Sequence, residues 1–338
     1  MLYGRGVASW NEDGTDGTDG QGRGGTGGLW TLGAILLLIL SVTVFVTALN
    51  SGSSSESSAD REQSALESAA AEASRPTAQE QAEDATRRIE AVVNDISGRF
   101  DARVGISLRA GGGVVHAGES GDLHAWSTAK VPIAYAAVQN MLDAGEDPAV
   151  LADDLTFALT KSDNDAALRL WESLGTDEQS SAAVDGVFRQ AGDPTDAEGD
   201  RNREDYEGFG DIHWTLDNQV IFANRMACLP GAEQVLDQMG HVVDEHRDGL
   251  GQLPGARFKG GWGDENDGTY LFREFGLVGE ADHQVPVAFT IVPGDATDGT
   301  AREASAALAE ALAPVITDLG AEGGVAECQV PASVPPSV

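Results

Sequence analysis

The hydrophobic positions change period several times along this chain of 338 residues, and each change marks a new part. Residues 29–49 carry no charge and are dominated by Leu, Ile, Val, Phe and Ala. At about 1.5 Å per residue such a run covers roughly the 30 Å of a bilayer's hydrocarbon layer. A secretory signal is the rival reading, with Val46-Thr47-Ala48 as a cleavage site, but its apolar region is usually only about 7–15 residues long. The expectation is an uncleaved single-span membrane anchor. Arg5 and Arg23 before the run put the N-terminus in the cytoplasm and all that follows outside. Residues 1–28 are Gly-rich and read as a disordered cytoplasmic tail. Residues 50–78, rich in Ser, Ala and Glu, read as a flexible tether.

Order is expected from residue 79. Ala85, Ile89, Val92, Val93 and Ile96 recur at helical spacing, and Gly98 is expected to stop that helix. Alternation over 103–109, glycines at 111–113 and a return over 114–117 predict a hairpin. A helical block follows: a helix opening at Ser127 and running to Leu142, segments 151–160 and 166–174, a polar surface loop over 192–211, then helices over 214–228 and 232–241. The period then returns to two at 256–262, 269–278 and 285–292, before an Ala- and Leu-rich helix over 300–319. This order predicts an α+β fold: one five-stranded antiparallel sheet, flanking terminal helices and an inserted helical subdomain. Residues 79–320 form that domain and 321–338 a C-terminal tail. A cleft between sheet and subdomain is the natural ligand site.

Charge narrows the chemistry. Acidic residues outnumber basic ones 55 to 21, which argues against a nucleic-acid partner. The histidines have no zinc-like spacing: His241 and His246 lie five apart, which spreads them around a helix. No cofactor is implied. Only three lysines occur, Lys130, Lys161 and Lys259, and each borders a short polar motif. A desolvated ammonium near other cations gives up its proton, which a guanidinium does not. Ser127 and Lys130 are three apart and share a helix face, so a neutral amine there can serve as the base that activates a serine. Cys228 and Cys328 are the only cysteines; they pair if the domain is external, or remain two buried thiols.

Three motifs in order, Ser127-Thr128-Ala129-Lys130, Ser162-Asp163-Asn164 and Lys259-Gly260-Gly261, resemble those of the penicilloyl-serine transferase superfamily, closest to class A β-lactamase-like serine hydrolases of actinobacterial type. The resemblance covers roughly residues 79–319. It implies that Ser127 attacks a strained amide or ester carbonyl and is acylated, with Lys130 taking its proton. Ser162 would relay a proton to the leaving nitrogen. Asn164 would hold Lys130 and the acyl side chain, and Lys259 would tune Ser162 and attract a substrate carboxylate. The N–H groups of Ser127 and Trp262 would form the oxyanion hole beside Gly261. A small molecule or a peptidoglycan-type compound is the implied substrate.

The sequence also departs from the pattern. Gly260 stands where a hydroxyl residue is usual, and the segment between the first two motifs is short. The loop 192–211 lacks an Arg-x-x-Glu-x-x-x-Asn pattern; Glu198 with Asn202 has the internal spacing of a deacylating pair, without the arginine, and Glu204 and Glu207 compete. Without such a glutamate the acyl-enzyme would linger. A binding module of the cell envelope that retains the fold is therefore the alternative to a hydrolase.

Overall fold

A computed structural model describes residues 76–119, 124–322 and 324–328. The expected cytoplasmic tail, membrane anchor and nearly all of the tether lie outside the described residues, as does the end of the C-terminal tail.

Helix α1 (Ala78–Phe100) starts at a capping box, in which Thr77 and Glu80 satisfy each other's backbone N–H groups. Its buried stripe is Ala85, Ile89, Val92, Val93 and Ile96, as the periodicity predicts. Gly98 does not stop it. The helix ends at Asp101, whose left-handed backbone (φ 47°) turns the chain into the sheet.

Strands β1 (Ala102–Ala110) and β2 (Gly113–Gly118) pair from Ala110 opposite Gly113 to Gly105 opposite Gly118. The register leaves a two-residue turn, Gly111-Gly112, with both φ angles positive (56° and 81°). This is the hairpin geometry that demands glycine. A side chain at Gly111 would also strike the Ala78 carbonyl.

The helical insertion follows, with helices α2 (Lys130–Ala144), α3 (Ala152–Thr160), α4 (Asn164–Glu172), α5 (Asp177–Ala191), α6 (Ala197–Asp200), α7 (Leu216–Arg225) and α8 (Ala232–Met239). Helix α5 belongs to no expected element. Its inner face includes Ser180 and Ser181, whose buried hydroxyls are satisfied: Ser180 donates to Trp171 O in α4 and Ser181 to Asp177 O one turn back. The expected loop 192–211 contains the short α6.

The chain returns as β3 (Arg257–Asp264), β4 (Tyr270–Val278) and β5 (Val285–Pro293). The sheet is antiparallel, in the order β2-β1-β5-β4-β3, so the last strand in sequence lies at the centre and β3 is an edge. Every residue of β4 and β5 is buried, because both faces of the sheet are covered. On one face α1 and helix α9 (Asp298–Glu322) pack Ile89, Ile96, Leu308 and Leu312 against Ile106, Phe272 and Phe289. On the other, Trp214 and Phe222 of the insertion meet Phe275, with Trp214 and Phe275 ring centres 4.8 Å apart, and Phe188 packs edge-on against both Trp214 and Phe222.

Among the described residues α9 is the one helix long and apolar enough to cross a membrane, but half of its most apolar window is buried in the domain. Beyond it Ala326 is buried, and Cys328 forms a disulfide with Cys228 at a Cα separation of 5.5 Å. The bridge closes a loop with a sequence separation of 100, worth up to ~4.7 kcal/mol in the chain-entropy model.

Candidate active site

Edge strand β3 and two turns of the insertion converge on one cleft. Ser127 lies in a short 3₁₀ turn, Trp126–Ala129, that runs into α2, and its carbonyl accepts the Lys130 N–H. One turn on, the Lys130 side chain is fully buried among the apolar residues Val131 to Val138. Ser162 occupies the bend between α3 and α4 with a left-handed backbone (φ 58°). Asp163 then caps α4 by accepting from the Ala166 N–H at 2.7 Å. That bend points the Ser162 carbonyl and the Asn164 side chain back at α2.

Lys130 Nζ donates to Ser162 O at 2.5 Å and to Asn164 Oδ1 at 2.7 Å, with Ser162 Oγ at 3.4 Å. From the opposite wall Lys259 Nζ donates to Ser162 Oγ at 2.9 Å and to Gly260 O at 2.7 Å. One hydroxyl is thus held between two amines. Burial lowers the Lys130 pKa to about 7, against the opposing field of Asp163. Lys259 is pushed well below the usual lysine range by burial and by the charge of Lys130, with Glu274 acting the other way. At neutral pH the two amines hold fewer protons than two free lysines would, so Ser162 lies on a path along which a proton can pass.

Two glycines make room for this arrangement. A Cβ on Gly261 would lie 2.8 Å from the Ser127 nitrogen and 3.0 Å from Ala125 O, so the edge strand touches the serine's backbone only because residue 261 is glycine. At Gly260 a Cβ would press on the Trp262 ring at 3.2 Å. That indole stacks on Phe272 (6.0 Å, 14°), meets His246 edge-on and lies 4.8 Å beneath the Arg302 guanidinium. A side chain at 260 would therefore require the Trp262 ring to give way by a few tenths of an ångström.

The structure thus brings Lys130, Ser162, Asn164, Lys259, Gly261 and the half-buried Ser127 to one place. The Ser127 hydroxyl itself makes no hydrogen bond to either amine among the described contacts. Lys161 lies outside the cluster, exposed above the Phe157 ring at 4.6 Å. Glu198 is exposed on α6: its N–H donates to Asp185 Oδ2 and its carbonyl accepts from Asn202, and neither residue is bonded to the cleft. Glu204 and Glu207 are exposed as well. Among the described residues no group of three His, Cys, Asp or Glu could hold a metal ion.

Several residues around the serine turn had no signal in the sequence. Arg273, fully buried on β4, donates to His124 O and Trp214 O. Gln219 of α7 donates to Thr128 Oγ1, which in turn donates to Ala125 O. Glu265, in the β3–β4 turn, accepts from Trp126 and pairs with His124.

No known family profile matches this sequence, and no curated protein matches it at the sequence level. The fold is that of class A β-lactamases. A class A β-lactamase from Bacteroides cellulosilyticus is similar over 69% of this chain and 99% of its own, with 16% identity and a TM-score of 0.56. The TLA-1 extended-spectrum β-lactamase matches 66% of this chain and 97% of its own at 14% identity and a TM-score of 0.52. A variant of the last common ancestor of Gram-negative class A β-lactamases, bound to the transition-state analogue 5(6)-nitrobenzotriazole, covers 68% and 98% at 19% identity, with a TM-score of 0.50.

Proposed function

We propose that the chain is a membrane-anchored, extracytoplasmic serine hydrolase or acyltransferase, acylated at Ser127 by β-lactams or related amides and esters. The observation that carries this reading is the Ser162 hydroxyl held between Lys259 Nζ at 2.9 Å and Lys130 Nζ at 3.4 Å. The neutral Lys130 amine takes the Ser127 proton as Oγ attacks the carbonyl carbon, and the oxygen's developing charge falls on the N–H groups of Ser127 and Trp262. The proton then passes from Lys130 through Ser162 to the leaving nitrogen, while Lys259, donating to the Ser162 hydroxyl, tunes it and attracts a substrate carboxylate. Hydrogen bonds to a catalytic serine are often long without substrate and tighten in the complex, and the proposal has Ser127 and Lys130 close up when substrate binds. The uncharged run at 29–49 supports the anchor, and the Cys228–Cys328 bridge suits an oxidising compartment.

One observation favours a second reading, a cell-envelope binding module with little turnover: Glu198 is exposed on α6 and bonded away from the cleft. The experiment is labelling with a fluorescent penicillin, followed by a chromogenic cephalosporin. Labelling that disappears in Ser127→Ala is expected, and labelling that persists there overturns the proposal. A burst without steady colour supports slow deacylation, steady colour an efficient hydrolase, and neither the binding module.

A further inference from the structure

Trp126, the residue before Ser127, holds a left-handed backbone at φ 48°. A bulky side chain rarely tolerates that conformation, and it persists only where surrounding contacts enforce it. The contacts come from the far side of the cleft. The indole N–H donates to Glu265 Oε1 at 2.8 Å. The ring lies against Gly263, where a Cβ would fall 2.3 Å from it. The other carboxylate oxygen, Glu265 Oε2, takes the ring of His124 at 2.7 Å, with both side chains largely buried. His124 in turn stacks on His213 with ring centres 5.3 Å apart, and its carbonyl is fixed by Arg273. One carboxylate on the β3–β4 turn therefore grips two residues of the serine turn: Trp126, just before Ser127, and His124, three before it.

We propose that Glu265 is a positioning residue: through Trp126 and His124 it clamps the serine turn to the edge strand and so fixes the Ser127 hydroxyl and N–H for acylation. The inference rests on the acylation reading above. The two parts that the clamp joins are the ones that supply the serine and the Trp262 N–H, so their spacing is set by this carboxylate. The charged and titratable groups facing His124 are Glu265, then Asp211, Arg203 and Asp205 from the segment 203–211, with Arg273 at its carbonyl and His213 stacked on its ring. Glu265 is the largest influence on His124 and raises its pKa, against the opposing effect of burial.

The test uses the full-length protein and a fluorescent penicillin, with acylation rate and saturating concentration measured separately. Displacement of a nucleophile on the ångström scale costs up to about a hundredfold in rate. Glu265→Ala is expected to slow acylation by about ten- to a hundredfold without raising the saturating concentration. Glu265→Gln, which still accepts from the indole, is expected to recover most of that rate. Gly263→Ala, whose methyl displaces the Trp126 ring, is expected to reproduce the loss. The NMR titration of His124 in Glu265→Gln is expected to shift to lower pH. Wild-type acylation rates in Glu265→Ala, or an unmoved His124 titration in Glu265→Gln, overturn the clamp alone. Loss of rate that merely follows unfolding in both Glu265 variants also overturns it. A wild-type protein that no penicillin labels sinks the acylation reading, and the clamp's catalytic role with it.

Discussion

The two polar walls that the sequence assigns to one reaction are built very differently. The wall of Lys130, Ser162, Asn164 and Lys259 is convergent: both lysines are buried, and each donates into the same serine. The segment carrying Glu198, Asn202, Glu204 and Glu207 is exposed, and the bonds of its Glu198 and Asn202 close within the loop or onto Asp185. Desolvated amines are tuned for proton transfer, whereas solvated carboxylates outside the cleft are not. The difference separates the two halves of the proposed cycle: under that proposal acylation is expected to be fast and deacylation slow.

The largest effect expected is from Lys130→Met, which keeps the buried stem and removes the amine. It should slow acylation by ~10²–10⁴-fold, the usual contribution of a general base. An undiminished rate in a stopped-flow labelling assay would remove Lys130 from the mechanism. Gly261→Ala comes next, since its methyl would press on the Ser127 nitrogen. A loss of about ten- to a hundredfold in acylation is expected, with some loss of melting temperature from overpacking. Glu198→Gln should change the lifetime of the acyl-enzyme by less than about twofold, the scale of an isolated surface change. A lifetime prolonged a hundredfold, followed by intact mass, would show instead that the loop closes over the cleft and would erase the contrast.

The smallest effect lies far from the cleft. The Ser107 hydroxyl donates to Asp217 at 2.6 Å and meets His116 Nδ1 at 2.9 Å, clasping the β1–β2 hairpin to α7. The Asp217 carboxylate, 3.5 Å from His116 Nδ1, raises the His116 pKa, and the histidine lowers that of Asp217. The raised histidine contributes stability that is complete below its unfolded pKa and lost as pH rises through its folded one. The depressed aspartate contributes above its unfolded pKa and loses it as pH falls through its folded value. Asp217→Asn should therefore flatten the decline in melting temperature on going from mildly acidic to mildly alkaline pH. An unchanged slope would show that the clasp carries no charge.

Much of this was legible in the chain because burial and period announce themselves. The stripe from Ala85 to Ile96, the Gly111-Gly112 turn and the three late strands each follow from local sequence. Helix α5 was not legible, since Ser180 and Ser181 look solvent-facing until their hydroxyls find backbone partners. Gly98 misled because its outward position needs no side chain, while Asp101 supplies the actual stop. In the site, rare lysines marked Lys130 and Lys259. Nothing marked Glu265, Arg273 or Gln219, whose partners lie 59 to 149 residues away in sequence and meet them only in the folded chain: Arg273 reaches Trp214 across 59 positions, Glu265 reaches Trp126 across 139 and Arg273 reaches His124 across 149. The Gly260 departure became explicable only with the Trp262 ring in place above it.

The most direct test of the central claim is the pH dependence of Ser127 acylation in the full-length protein. If a desolvated Lys130 is the base, the rate constant rises as pH passes through about 7 and levels off once the amine is neutral, and Lys130→Met abolishes the rise. A wild-type rate that stays flat through that range, or a rise that survives in Lys130→Met, would contradict the account.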